Sequence, residues 1–207
     1  MEIQIYLTNG RKHVLRVEDD RMAQDIVNAI RPGKFFRQAV LQVQGSQTAL
    51  TINPTAIEFV EFETTILPEW PSERSFESLE PGTPPGRSFQ PIRLISSEDY
   101  ARLRQKLAAR RQEDETEQKP GMEIDAVAEL CFKSGNVRHI HVRGTLGPGE
   151  DRRRFSLKVF DTPAMEVQWE QGGFTLINPK NVETFTITPG PTERSPLVWR
   201  AEFLIEQ

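Results

Sequence analysis

Apolar and polar positions alternate from the first residues of this chain: Ile3, Ile5 and Leu7 take every second place, with Glu2, Gln4 and Thr8 among the polar ones. A period of two predicts a half-buried strand. Asn9-Gly10 interrupts it before Leu15 and Val17 resume the alternation. Both turn residues tolerate positive φ, so the pattern predicts a tight hairpin. Asp20 then stands where it can cap a helix with Ala23, Ile26, Val27 and Ile30 on one face, ended by Pro32-Gly33. Leu41 and Val43, then Leu50 and Ile52, predict a strand pair around Gly45-Ser46. Asn53-Pro54-Thr55-Ala56 follows. Asparagine accepts from a following backbone N–H and proline suits the first helical position, so one 3₁₀ turn is expected before a last strand, Ile57 to Phe62.

The same order returns 125 positions later. Leu50-Thr51-Ile52-Asn53-Pro54 is echoed by Thr175-Leu176-Ile177-Asn178-Pro179, and Glu58 by Glu183. Ile5 to Gly10 maps onto Leu130 to Gly135, and Leu15 and Val17 onto Ile140 and Val142. Two matched blocks at one spacing point to a duplicated module. The second copy repeats the strand pair as Met165, Val167 and Trp169, then Gly172-Gly173, then Phe174 and Leu176-Ile177, with a last strand from Val182 to Ile187. The copies diverge after the hairpin, where the stretch from Pro148 through Phe155, Leu157 and Val159 fits either a helix or a strand.

The expected fold is mainly β with some helix (α+β): two tandem, similar, five-stranded modules with a helix after the second strand of the first. Five short strands with a 3₁₀ turn before the fifth resemble the small SH3-like or Sm-like barrels in architecture. The helix after the second strand departs from the Sm arrangement, and no Sm-type motif is present. A ferredoxin-like or other α+β layer accommodates the same elements.

Residues 1–66 are the first module. Residues 67–95 form a linker rich in proline, ending in a short strand, Ile92 to Ile95. Such composition cannot bury enough to offset its ordering entropy. Trp70, Phe76 and Phe89 give it adhesive points for a neighbouring module or a partner. Residues 96–121 hold a charged helix with capping-box spacing at Ser96 and Asp99 and a narrow stripe of Tyr100, Leu103 and Leu107. Its cations precede its anions, which opposes the macrodipole, so its end should fray. Residues 122–207 are the second module. Leu197, Trp199, Ala201, Phe203 and Ile205 alternate as an extra strand that closes the second module, crosses to the first, or pairs between chains.

The chain has 207 residues, 37% of them apolar, and a formal net charge of -4. The charge argues against a generally basic nucleic-acid coat but leaves room for a local patch. A single cysteine, Cys131, excludes an internal disulfide and a cysteine-based zinc site. No basic leader and no run of about 18 apolar residues is visible, so the expected location is the cytoplasm, with no membrane contact.

His139 and His141 leave one face of a strand and offer two metal ligands without an evident third. With Ile140 and Val142 inward, both histidines should face outward near Val137, with Cys131 as a candidate cross-strand neighbour of His141. Neither a nucleophile with its oxyanion donors nor a phosphate loop can be assembled. The best recognition candidate is basic: Arg138, Arg143, Arg152, Arg153, Arg154 and Lys158 converging on one edge of the second module, beside His139 and His141. Trp169 is placed either to stack on a base or to fill the core. Asn53-Pro54 and Asn178-Pro179 are the structural repeat motif, with Glu58 and Glu183 as residues that close the turn.

The expectation is a non-enzymatic protein-interaction or assembly component, without cofactor or metal, whose partner is another protein or a second copy. RNA or single-stranded DNA binding through the basic edge is the alternative.

Overall fold

The structure, a computed structural model, describes residues 1–44, 49–66, 68, 92–113, 123–145, 160–169 and 172–190. The first half holds β1 (Glu2–Leu7), β2 (Lys12–Arg16), α1 (Asp20–Ala29), the short α2 (Pro32–Phe35), β3 (Leu41–Gln44), β4 (Ala49–Ile52), a 3₁₀ turn (Pro54–Ala56) and β5 (Ile57–Glu63). Next come β6 (Arg93–Ile95), α3 (Ser97–Glu113), β7 (Glu123–Phe132), β8 (Val137–Thr145), β9 (Met165–Trp169), β10 (Phe174–Ile177), a second 3₁₀ turn (Pro179–Asn181) and β11 (Val182–Thr188). The protein is mostly sheet with few helices.

Local chemistry accounts for the helix ends. Asp19 rather than Asp20 caps α1, because its carboxylate sits three residues before the Met22 amide and accepts from it at 2.7 Å. Ile30 and Arg31 are extended, as the residue before a proline prefers, and the helix stops at Ala29 instead of running on to Pro32. At α3, Ser96 is the cap: the Asp99 amide donates to Ser96 Oγ at 3.0 Å, and that hydroxyl donates to Asp99 Oδ2 at 2.8 Å, in place of the backbone donor that a capping box would use.

Two separate five-stranded barrels are not what the described strands form. They make one nine-stranded sheet, ordered β11-β7-β8-β6-β9-β10-β5-β1-β2, and a two-stranded sheet, β3-β4. The reason is that β5 of the first half pairs antiparallel with β10 of the second, Phe62 opposite Phe174 and Val60 opposite Leu176. β6 then bridges to β8. The proline-rich stretch before β6, the Pro148–Val159 stretch, the expected fraying end of α3 and the Leu197–Ile205 alternation lie outside the described residues.

Pairing registers nevertheless match at the spacing seen in the sequence. Ile3 faces Leu15 and Ile5 faces His13 across β1–β2, while Ala128 faces Ile140 and Leu130 faces Arg138 across β7–β8. Ile3 faces Phe62 across β1–β5, and Ala128 faces Ile187 across β7–β11, each pair with a bulge at the corresponding place. The β1–β2 and β7–β8 turns close alike, with Leu7 N–H donating to Arg11 O and Phe132 N–H donating to Asn136 O, both at 2.9 Å.

Between β5 and β8 lie four inter-strand steps, about 19 Å if the sheet were flat. Arg138 on β8 nevertheless touches Glu61 on β5. The sheet therefore curls, and its inner face packs Phe59, Met165, Val167 and Ile177 against Leu130, Phe132 and Ile140. On the outer face of the first half, Ile3, Ile5, Val60 and Phe62 pack against Val27, Ile30, Phe35 and Phe36 of the α1–α2 region. On the outer face of the second half, α3 seats Tyr100 and Leu107 over Val127.

Gly173 shows how tight the β9–β10 turn is. Its φ is +108°, and a Cβ there would lie 2.5 Å from the Phe62 carbonyl oxygen and 3.1 Å from the Trp169 ring. Gly135, at φ +85°, has open space around it. We expect Gly173→Ala to cost about 2 kcal/mol from strain plus a backbone clash, and Gly135→Ala about 1 kcal/mol from strain alone. Urea unfolding of the two variants checks the order; equal losses would mean that the backbone near Phe62 gives way freely.

Candidate functional site

A polar cluster among the described residues lies on the inner face of the curl, where the halves meet. Arg138 projects from β8 on the same face as Ile140 and Val142, not outward toward the edge where the sequence pattern placed it. Its guanidinium makes contacts of 3.0 and 2.9 Å with Glu61 Oε1 and lies 4.4 Å from the Phe59 ring centroid and 5.2 Å from that of Tyr6. Tyr6 and Phe59 stack at 4.3 Å, and Lys12 Nζ stands 5.4 Å from the Tyr6 centroid. An arginine between a carboxylate and two aromatic faces is held by charge and by the ring quadrupoles at once.

The Tyr6 hydroxyl donates to Gln4 Oε1 at 2.9 Å. Burial, with the negative charge of Glu61 second, pushes its phenol up to about 12, against a smaller opposing effect of Arg138. An unfolded phenol ionises near pH 10. The folded state thus keeps its proton longer, and the contribution of Tyr6 to stability is complete below about pH 10 and fades as pH climbs towards about 12. The chain has two tyrosines. In a Tyr100→Phe protein the phenolate absorbance is expected to rise with a midpoint near 12, and additional Glu61→Gln to lower it. A midpoint near 10 in the first protein would show Tyr6 to be solvated.

Glu58 forms a second link between the halves. It is fully buried, and its carboxylate accepts from the Ser134 amide at 2.8 Å, the Ser134 hydroxyl at 2.6 Å and Asn136 Nδ2 at 3.2 Å. It closes the β7–β8 turn of the other half. Glu183, its repeat counterpart, is exposed. The difference tracks the turns they would meet, since Asn9 and Arg11 occupy the places of Ser134 and Asn136 in the first copy.

The two Asn-Pro turns also meet. Asn53 and Asn178 each cap their 3₁₀ turn by accepting from the backbone amide two residues on, with Pro54 and Pro179 in the first helical position. Asn178 Nδ2 donates to Ile57 O at 3.0 Å, and Asn181 Nδ2 donates to Thr55 O at 2.9 Å and Ile57 O at 2.8 Å. Lys133 Nζ donates to Asn181 Oδ1 at 3.2 Å. Asn181→Ala removes the side-chain donor to Thr55 O and one of two to Ile57 O, which keeps Asn178 Nδ2, and should cost about 1.5 kcal/mol; a loss within a few tenths of zero in denaturant melts would show that water replaces the amide.

His139 and His141 do leave the face opposite Ile140 and Val142, but α3 covers it. His139 is buried, stacks on Tyr100 at 4.3 Å, and pairs through Nε2 with Glu129 at 2.9 Å. His141 Nε2 pairs with Asp125 at 2.7 Å, and Arg143 Nε lies 3.7 Å from the same carboxylate. Cys131 is opposite Val137, whereas His141 is opposite Val127, roughly 13 Å along the strand, so the two are not cross-strand neighbours. Among the described residues no three His, Cys, Asp or Glu side chains converge on a metal position. Trp169 donates its Nε1 proton to Thr175 Oγ1 at 2.8 Å. Glu166, on β9 opposite Leu176, has its carboxyl raised above the ordinary range by burial. Arg152, Arg153, Arg154 and Lys158 lie outside the described residues.

The arrangement thus brings together Arg138, Glu61, Phe59 and Tyr6, and separately Glu58 with the Ser134–Asn136 turn. Sequence reasoning passed over Glu61, Tyr6, Phe59 and Asn181. Asn181 carried a signal, because a second asparagine stands in the place of Ala56, two residues after the matched Asn-Pro step. Among the described residues no helix is long and apolar enough to cross a membrane. No family model matches this chain, and no curated protein or solved structure matches it either.

Proposed function

We propose that this protein is a non-enzymatic interaction or assembly component of the cytoplasm, and that it meets its partner through the solvent face of α3. The observation that carries the reading is how α3 is held. Tyr100, Leu103 and Leu107 fasten it to the sheet, while Arg102, Arg104, Gln105 and Lys106 are exposed. A rigid helix offering cations on its outer side suits an acidic protein surface. Support also comes from the engagement of Arg138, His139 and His141 with carboxylates of the same chain.

Arg102→Glu with Lys106→Glu tests this. Neither side chain contributes to the core beneath α3, but Arg102 pairs with Asp99 at the start of the helix, so the variant should melt within about 1 kcal/mol of the parent. The expected result is a salt-sensitive complex with a partner protein or a second copy that weakens at least tenfold in the variant. A parent chain that sediments as a monomer and retains no protein from a lysate at low salt would overturn the reading. RNA or single-stranded DNA binding, through Arg143 and the arginine triplet at 152–154, is the alternative. Salt-dependent retention of a single-stranded oligonucleotide, lost on neutralising that triplet, is the outcome that would replace the first proposal.

A further inference from the structure

β6 occupies a defined slot. It runs antiparallel to β8, with Arg93, Leu94 and Ile95 opposite His141, Ile140 and His139, and parallel to β9, with Arg93 and Leu94 opposite Gln168 and Trp169. The first half contains the counterparts of both walls. β2 corresponds to β8 by register, and the β3–β4 hairpin corresponds to β9–β10, since Leu41 opposite Ile52 repeats as Met165 opposite Ile177. Among the described residues β2 pairs only with β1, and β3 only with β4. No described strand pairs with the second edge of β2 or of β3.

The chain repeats the text that leads to β6. Pro71-Ser72-Glu73-Arg74-Ser75 follows the β5 strand, and Pro191-Thr192-Glu193-Arg194-Ser195 follows β11. Pro91-Ile92-Arg93-Leu94 leads into the first slot, and Pro196-Leu197-Val198-Trp199 comes next in the C-terminal segment. We infer that residues 197–205 are the occupant of the edge of β2, added in the same molecule as an antiparallel strand between β2 and β3.

Carrying the β6 register across places Trp199 opposite Leu15, since Leu94 is opposite Ile140. Leu197 then meets Val17 and Ala201 meets His13. Leu15 and Val17 are half-buried against the core that holds Ile3 and Val27, so the apolar places of the alternation extend an existing apolar face. The same register sets Glu202 opposite Lys12, an opposite-charge pair. A second β2 in that place would instead set Lys12 against Arg16, which like charges disfavour. Six residues lie between Gly190 and Leu197, seven steps of chain with a reach of about 25 Å. A strand tethered that closely acts at roughly millimolar effective concentration and outcompetes the same segment of another copy.

Cross-linking in the intact chain tests it. With Cys131→Ser as background, Leu15→Cys and Trp199→Cys are expected to form a disulfide within one chain in most molecules under mild oxidation, while Leu15→Cys with Val198→Cys, on the opposite face, is not. A cross-link no more frequent than in that control, or one found only between copies, overturns the inference. Removal of residues 197–207 supplies an independent measurement that needs no cysteine: β2 amides should exchange with solvent at least tenfold faster, and unchanged exchange would also overturn it.

Discussion

Glu58→Ala should lose about 3 kcal/mol of unfolding free energy. The carboxylate is fully buried and takes three donors from the Ser134–Asn136 turn, which belongs to the other half of the chain. Hydrogen bonds to a charged acceptor are worth about 1.5–3 kcal/mol each in favourable cases. They are not additive here, because all three share one group. Removing it takes the acceptor from the backbone amide of Ser134 in a half-buried turn. Glu58→Gln keeps the shape but turns an NH₂ group towards donors, and should lose about 2 kcal/mol. Urea unfolding followed by tryptophan fluorescence reads both. If Glu58→Ala lost less than about 1 kcal/mol, the clasp would not be what joins β5 to the β7–β8 turn.

Arg138→Ala should cost about 3 kcal/mol. Glu61 is 7% exposed, so removing its partner strands a carboxylate inside the curl and also takes a cation from the Phe59 and Tyr6 faces. Breaking one side of such a pair costs about 3–5 kcal/mol, whereas replacing both sides by neutral groups of similar shape is often close to neutral. Arg138→Met with Glu61→Gln should therefore recover most of the loss and end within about 1.5 kcal/mol of the parent. The cycle built from these variants measures the coupling. Simple additivity would mean that Arg138 acts through packing alone.

These two contacts also show why the candidate site was hard to read. Arg138 in an alternating strand looks like an outward cation, and its neighbours at 143 and 152–154 invite an anion-binding reading. Its position opposite Leu130 on the inner face follows from parity with Ile140. What waits on the far side of that face depends on β5, 77 positions away in sequence. The histidine pair failed differently: the face was right, but α3 folds back over it, and a helix with only three apolar anchors does not announce where it will dock. Glu58 was visible as a repeated residue suited to closing a turn; that it closes the turn of the opposite half was not.

By themselves, the residues determined the hairpins at Asn9-Gly10 and Ser134-Gly135, a helix after the second strand, the capping of α3, and both Asn-Pro turns. Each rests on interactions within a few positions, where side-chain spacing and turn chemistry suffice. The tertiary structure decided that β5 joins β10, that β6 bridges to β8, and that the resulting sheet curls until Arg138 reaches Glu61. Strand edges offer the same backbone donors and acceptors wherever they lie, so the choice of neighbour falls to which faces exclude water together, and that is settled only when the whole chain is packed.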